Sequence, residues 1–389
     1  MLTGNYAAAF GAKLSRAEVV PVYPITPQTH IMEKMTEFIS KGELDAEFIP
    51  VESEHSVMAA AIAAQATGAR TFTASSSQGI LYMHENLFVA SGMRLPIVMV
   101  MANRAVAAPV TIYPDQLDSL AQRDTGWLQL YAENAQEIID LIIQAYRIAE
   151  DERVLLPVAV CFEGLIISHF LEPVEVPSQK EVDHFLPPYE AKHVILHPDR
   201  PMHVGIAAND VYYTEYRYQQ EEAMEKAKEV IQEVDKAFLD QFGRGYGGLV
   251  QTFMLEDARV ALMTMGSISG TARQVVRDLR RQGIKIGLIR LRSFRPFPTK
   301  QLQRIAGQLD LIAVLDRNVS IGLGGIVYSE LATALYPLEK RPLLVNYILG
   351  LGGRDITVEN VTEIASNAIN LSGIGEVKKP VRWIGVRGL

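Results

Sequence analysis

Four short stretches gather residue types that could do chemistry. In Tyr23-Pro24-Ile25-Thr26-Pro27 two prolines fix the backbone around one hydroxyl. Thr26 is therefore either held in place for a ligand or part of a rigid turn. Val51-Glu52-Ser53-Glu54-His55 precedes an Ala-rich run. One acid, or Ser53, could merely cap the helix that follows. Two acids two residues apart leave one free to face a cleft, where a buried carboxyl can hold or trade a proton. Ser75-Ser76-Ser77-Gln78-Gly79 lies where a strand passes into a helix, so orphan N–H groups and hydroxyls converge there, for capping or for a ligand. Asn103-Arg104 ends an apolar run and leads into the small residues 105–110. A guanidinium at that point either pairs with an internal acid or clamps a carboxylate bidentately. Asp115, Asp118, Arg123 and Asp124 follow on a stretch that reads as a loop.

The elements that must position these residues follow from hydrophobic periodicity. Strands are predicted at 18–23, 47–51, 70–75, 95–101 and 154–162, with helices at 30–40, 56–67 and 135–150. This rhythm argues for a doubly wound parallel sheet, and all four motifs fall at the carboxyl ends of its strands, the edge where such sheets bind ligands. Residues 172–201, with Pro173, Pro177, Pro187, Pro188 and Pro198 among them, show little periodicity and read as an ordered excursion over the surface. A charged helix is expected at 215–240. The glycines at 243, 245, 247 and 248 mark the best domain boundary, giving units of 1–245 and 246–389. The second unit repeats the α/β pattern, with strands at 258–265, 284–291, 311–316 and 343–348 and helices at 269–282, 299–308 and 326–336. Its Arg292, Arg295 and Arg317 read as ion-pair or interface residues.

Composition narrows the function. The chain has 389 residues, 48% hydrophobic and 21% charged, which is ordinary globular usage. A net charge of −8 gives no basic footprint for nucleic acid. No apolar stretch approaches the ~20 residues needed to span a bilayer, and no signal sequence opens the chain, so a soluble cytoplasmic protein is expected. The single cysteine, Cys161, lies in an apolar strand and reads as a core residue. It cannot support a cysteine-ligated cluster or zinc site by itself. There is no GxxxxGK[ST] loop, no HExxH and no GxSxG elbow. Gly322-Leu323-Gly324-Gly325 lacks the full GxGxxG spacing and reads as a close-packed helix start.

Taken together and in order, the motifs identify a resemblance. YPITP at 23–27, VESEHS at 51–56, SSSQG at 75–79, NRAVAAPV at 103–110, QRDTGW at 122–127, the proline-rich stretch 172–189 and FRPFP at 294–298 resemble the α subunit of 2-oxoacid:ferredoxin oxidoreductases, most closely the pyruvate type. The resemblance covers nearly the whole chain. It implies a thiamine diphosphate pyrimidine-binding-type domain followed by a transketolase C-terminal-like domain. It also implies oxidative decarboxylation of pyruvate with coenzyme A and ferredoxin. Glu54 matches the glutamate that hydrogen-bonds the aminopyrimidine ring, Arg104 the arginine that receives the substrate carboxylate, and Thr26 the threonine beside it. Pro24, Ile25, Ser77 and Gln78 are expected to line the cofactor, and Asn103, Asp115, Asp118 and Arg123 the substrate loop. No metal ligand is expected on this chain. It has no GDG segment, so Mg²⁺ and the [4Fe-4S] clusters are expected on partner chains of β, γ and δ type, with thiamine diphosphate shared between chains. The small Ala107 and Ala108 favour pyruvate over a dicarboxylate such as 2-oxoglutarate or oxalate. Branched-chain or aryl 2-oxo acids, or a non-catalytic assembly role, are the rival readings.

Overall fold

In the computed structural model, which describes residues 1–388, the rhythm of the first half becomes a mostly parallel sheet. Its strands are β1 (Val19–Val22), β2 (Glu47–Pro50), β3 (Phe72–Ser75), β4 (Val98–Asn103), β5 (Leu128–Tyr131) and β6 (Val158–Glu163). β3, β4, β6 and β5 pair in that order, all parallel. The parallel β1–β2 pair joins beside β3 through a bridge between Val19 and Thr71. β4 and β6 are buried along their whole length. Helices cover both faces, which is why these strands read as continuous apolar runs instead of alternating.

The second half builds a second sheet from β7 (Val250–Phe253), β8 (Val260–Met265), β9 (Ile286–Leu291), β11 (Leu311–Asp316), β12 (Leu343–Ile348) and β13 (Val381–Trp383), in the order β13-β12-β11-β8-β9-β7. The remaining strand, β10 (Ser293–Arg295), leaves this unit and pairs antiparallel with β5 of the first sheet. A cut near residue 246 therefore separates the two sheets except for β10. β7 is likewise antiparallel, to β9. Neither edge strand stood out in the sequence, because three or four residues do not establish a period.

Further elements lie outside the sequence expectation, β5 among them. Helix Gly4–Leu14 packs against helix Ala135–Ala149, and its glycine at 11 lets the two backbones approach: a Cβ there would sit 3.0 Å from Ile142 Cβ. Alanines supply half of its buried residues, so its hydrophobic signal was weak. Helix Val358–Ile374 covers the outer face of the second sheet, and β13, not β12, is the last strand. The 172–201 excursion contains a short helix, Gln179–Phe185, started by a capping box between Ser178 and Glu181. β6 begins at 158 instead of 154 because Leu155 adopts a φ of 43°, which breaks the extended run.

Buried ion pairs join the two halves. Glu137, on the helix 135–149, is fully buried and pairs with Arg290 and with Arg292, the latter at 3.0 Å. Arg292 also donates to Gln144 Oε1 and Gly248 O, both at 2.9 Å. Arg295, on β10, donates from Nε to Arg123 O of the first half at 3.2 Å and pairs with Glu330 of its own half at 2.7 Å. One apolar core runs continuously through both sheets, and a smaller one lies beneath helices 268–281 and 358–374.

Candidate active site

The parallel register brings the four motifs to one edge. β1 runs out into Tyr23–Pro27, β2 into Glu52–Glu54, β3 into Ser75–Gly79 and β4 into Asn103–Arg104. Spatial order β2-β1-β3-β4 puts the reversal of strand order between β1 and β3, the position at which open sheets leave a crevice.

Glu54 opens helix Glu54–Ala66 and is 8% exposed. Ser53 performs the capping, its hydroxyl accepting from Ser56 N, so Glu54 is released from that task. Glu52 is exposed and hydrogen-bonds Ser56 Oγ. Of the two acids, Glu54 is the one turned inward. Its carboxyl lies over Gly79: a Cβ at residue 79 would be 2.5 Å from Glu54 Oε1 and 2.5 Å from Ser75 Oγ. The hydroxyl of Ser75 is buried beside it without a hydrogen-bond partner, and that of Ser76, next in the chain, is also buried and unpartnered. A buried carboxyl, an orphaned hydroxyl and a missing Cβ make a polar cradle that fits a flat, hydrogen-bonding heterocycle.

Ser77 follows at a φ of 50°, a left-handed conformation that costs a serine about 1 kcal/mol or more. Its amide donates to Asp118 Oδ2 at 2.9 Å and its hydroxyl to Ala105 O at 2.8 Å, which hold it there. Its hydroxyl also hydrogen-bonds the half-buried Gln78.

Arg104 meets Thr26 directly. Its Nη1 donates to Thr26 O at 3.1 Å and its Nε to Thr111 O at 2.9 Å. The guanidinium is thus oriented by two backbone carbonyls, while Thr26 and Pro24 stay exposed and Ile25 is half-buried. The YPITP turn is braced from behind: Gln28 Nε2 donates to Tyr23 O at 2.8 Å and Asn5 Nδ2 to Pro27 O at 2.7 Å.

Asp118 is fully buried and turned away from solvent. It accepts from Ser77 N, Arg104 N, Ser119 N and Asn103 Nδ2 at 2.7–3.0 Å. Burial pushes its pKa up to about 6, against the hydrogen bonds that pull it down. With four N–H groups aimed at its oxygens it is a carboxylate at neutral pH. Asp118 thus ties the end of β3 to the end of β4, and Asn103 serves the same knot. Asp115 points toward the second half of the chain, accepts from Leu117 N at 3.0 Å, and has its pKa raised by burial. Arg123 lies elsewhere, in a cleft of roughly 370 Å³ with Arg217 and Arg295. The structure thus gathers Glu54, Ser77, Asn103, Arg104, Asp118 and Thr26, with Pro24, Ile25 and Gln78 flanking and Asp115 on the side of the second half, and places Arg123 in a different cleft.

Residues that sequence reasoning passed over also shape the edge. Glu163 ends β6 in register with Asn103. It accepts from Ser267 N at 3.1 Å and Gln116 Nε2 at 3.0 Å, joining the two halves. An acid closing an apolar strand was the available signal. Asn5 and Thr111 carried none, since their partners lie far away in the chain. Among the described residues no cluster of potential metal ligands occurs and no helix is long and apolar enough to cross a membrane.

Comparison with known proteins gives the family and the fold. Residues 10–236 match the family model for pyruvate flavodoxin/ferredoxin oxidoreductase, thiamine diphosphate-binding, and residues 258–361 that for pyruvate:ferredoxin oxidoreductase core domain II. The chain is 47% identical over 387 residues to pyruvate synthase subunit PorA of Pyrococcus furiosus, covering 100% of this chain and 98% of that protein. It is 51% identical over 369 residues to PorA of Methanocaldococcus jannaschii, covering 94% of each. It is 48% identical over 383 residues to ketoisovalerate oxidoreductase subunit VorA of Pyrococcus horikoshii, covering 98% of this chain and 97% of that one. Among solved structures it resembles 2-oxoglutarate:ferredoxin oxidoreductase from Magnetococcus marinus, at a TM-score of 0.71 and 17% identity, over 95% of this chain and 65% of the other. A split-gene transketolase matches at a TM-score of 0.57 and 13% identity, over 95% and 99% of the two chains. Both likenesses concern the fold.

Proposed function

The chain belongs to the pyruvate flavodoxin/ferredoxin oxidoreductase family, and on that footing we propose that it is the α-type subunit of a pyruvate:ferredoxin oxidoreductase. The reaction is pyruvate plus coenzyme A plus two oxidised ferredoxins, giving acetyl-CoA, CO₂, a proton and two reduced ferredoxins. The observation that carries this reading is the buried Glu54 carboxyl over Gly79, on the same sheet edge as the Arg104–Thr26 contact.

Glu54, Ser75, Ser76 and Gly79 fit thiamine diphosphate by its aminopyrimidine ring, with Gln78, Pro24 and Ile25 beside them. When bound, thiamine diphosphate supplies a nucleophilic carbon for the 2-oxo group and an electron sink for decarboxylation. Glu54 holds the ring nitrogen and the proton there. Arg104 has five N–H donors, of which two are spent on Thr26 O and Thr111 O. The others receive the substrate carboxylate and orient the 2-oxo carbon. Thr26 sits beside it with its exposed hydroxyl. Mg²⁺ and the [4Fe-4S] clusters belong to partner subunits of β, γ and δ type, since this chain has no GDG segment and one cysteine. The complex works in the cytoplasm.

A branched-chain 2-oxo acid is the second reading, favoured by the near-equal identity to the ketoisovalerate relative. Ala107 and Ala108 in the Arg104 loop add no charge, which fits either substrate better than a dicarboxylate.

The test is a 2-oxo acid panel on the co-purified complex with coenzyme A and a low-potential dye, for wild type and Glu54→Gln. Pyruvate-dependent reduction should fall about 10²-fold or more in the variant while the complex stays assembled. Activity confined to 2-oxoisovalerate would move the substrate to the second reading. Equal activity in both proteins would reduce this chain to an assembly subunit.

A further inference from the structure

The loop that orients Arg104 is seated by the other half of the chain. Thr111, whose carbonyl takes the Arg104 Nε–H, lies in a loop whose residues 108–110, 112 and 113 are exposed. Within its own half, this loop is closed by Ala105 N donating to Tyr113 O at 3.0 Å. From the second half, Gly353 N donates to Pro114 O at 2.8 Å, and Gln116 N donates to Arg317 O at 2.9 Å. Gln116 Nε2 reaches Met265 O at 3.2 Å.

The seat is a glycine turn. Gly350, Gly352 and Gly353 all have positive φ, 71°, 57° and 78°. Gly353 also needs the missing side chain: a Cβ there would lie 2.4 Å from Tyr113 Cβ. A Cβ at Gly352 would meet nothing nearer than Thr111 Cγ2 at 3.8 Å, an ordinary contact. Arg317 locks the turn, its Nε donating to Gly350 O at 3.0 Å, and it is buried facing Asp115, Glu163 and Asp355.

We propose that the Gly350–Gly353 turn is a positioning device for the substrate-binding arginine: it seats Tyr113 and Pro114, these hold Thr111, and Thr111 sets the Arg104 guanidinium. The second domain then governs affinity for the 2-oxo acid without touching it. This deepens the proposed function and rests on its assignment of Arg104 to the substrate carboxylate.

The experiment measures steady-state kinetics of the co-purified complex. Gly353→Ala should raise KM for the 2-oxo acid about ten-fold, leave kcat within about three-fold, and leave KM for coenzyme A unmoved. Gly353→Ala combined with Tyr113→Gly removes the atom the new methyl meets, and should bring KM back down several-fold. Simple destabilisation would instead worsen with a second truncation. Gly352→Ala carries similar backbone strain without the close contact and should keep KM within about two-fold; a rise equal to that of Gly353→Ala would overturn the proposal. An unchanged KM in Gly353→Ala, or no recovery in the double variant, would overturn it as well. Should Gly353→Ala not assemble, Tyr113→Gly alone must raise KM with kcat kept, and an unchanged KM would be fatal. Arg104→Lys run in parallel separates the two claims. If it leaves KM unmoved, the site assignment itself fails; if it raises KM while Gly353→Ala does not, only the seating fails.

Discussion

Gly79 shows how a single missing side chain makes room for chemistry. It sits in the helix Ser77–Tyr82, where alanine would ordinarily be the better residue by about 1 kcal/mol. Here a Cβ would stand 2.5 Å from both Glu54 Oε1 and Ser75 Oγ, so the carboxyl would have to move. Displacing a catalytic group by about 1 Å can cost on the order of 10²-fold in rate. Gly79→Ala in the assembled complex should therefore lose roughly 10²-fold in 2-oxo-acid turnover with a thermal midpoint near that of wild type. Full activity would show that Glu54 does not need its present position. Asp118 belongs to the same scale. A carboxylate read as part of the substrate loop is spent inward, on the amides of Ser77 and Arg104, so it shapes the site through its neighbours.

Helix Ala135–Ala149 is the element on which the two halves turn. It is buried nearly all round, and its buried Glu137, Asp140 and Gln144 each accept from an arginine. Glu137 faces Arg290 and Arg292 from the second half, and Arg244 pairs with Asp140 at 2.8 Å. Removing one partner of a buried pair leaves an uncompensated charge, at a cost of about 3–5 kcal/mol. Two arginines pair with Glu137, and each keeps only a longer ion pair besides, Arg290 with Glu133 at 3.3 Å and Arg292 with Asp235 at 3.7 Å. Glu137→Gln should thus lower the thermal midpoint of the complex by several degrees, or prevent its recovery, while the substrate panel of any recovered enzyme keeps its order. A midpoint unchanged from wild type would mean that Gln144 and the backbone carbonyls suffice for Arg292.

At the scale of the whole molecule, the proposed function makes this chain one end of a divided active site. Glu54 and Arg104 can engage a ring and a carboxylate. The sequence has no GDG segment for a diphosphate-bound metal and a single cysteine, Cys161, which is fully buried in β6 with its thiol pKa pushed up by burial. The purified lone chain, given thiamine diphosphate, Mg²⁺ and pyruvate, should release no CO₂ above background, and should gain activity only with its partner subunits. Decarboxylation by the lone chain would refute the division of labour. The two sheets, joined by one continuous core and by β10 crossing from one to the other, form the frame on which that half-site is held.

The sequence by itself determined the alternation of strands and helices in both halves, and with it the carboxyl edge on which YPITP, Glu54, Ser77 and Arg104 all sit. Those facts depend on local periodicity and on residues adjacent in the chain, which a linear reading can follow. What only the tertiary structure decided concerns partners far apart in sequence. Arg104 meets Thr26 78 residues away, and Gln116 meets Met265 149 residues away. The inward turn of Asp118 depends on the ends of β3 and β4 coming together, and the seating of the loop at Tyr113 on where the second sheet packs against the first. A loop's side chains have no period of their own. Their direction is chosen by whichever distant backbone supplies the hydrogen bonds that burial demands.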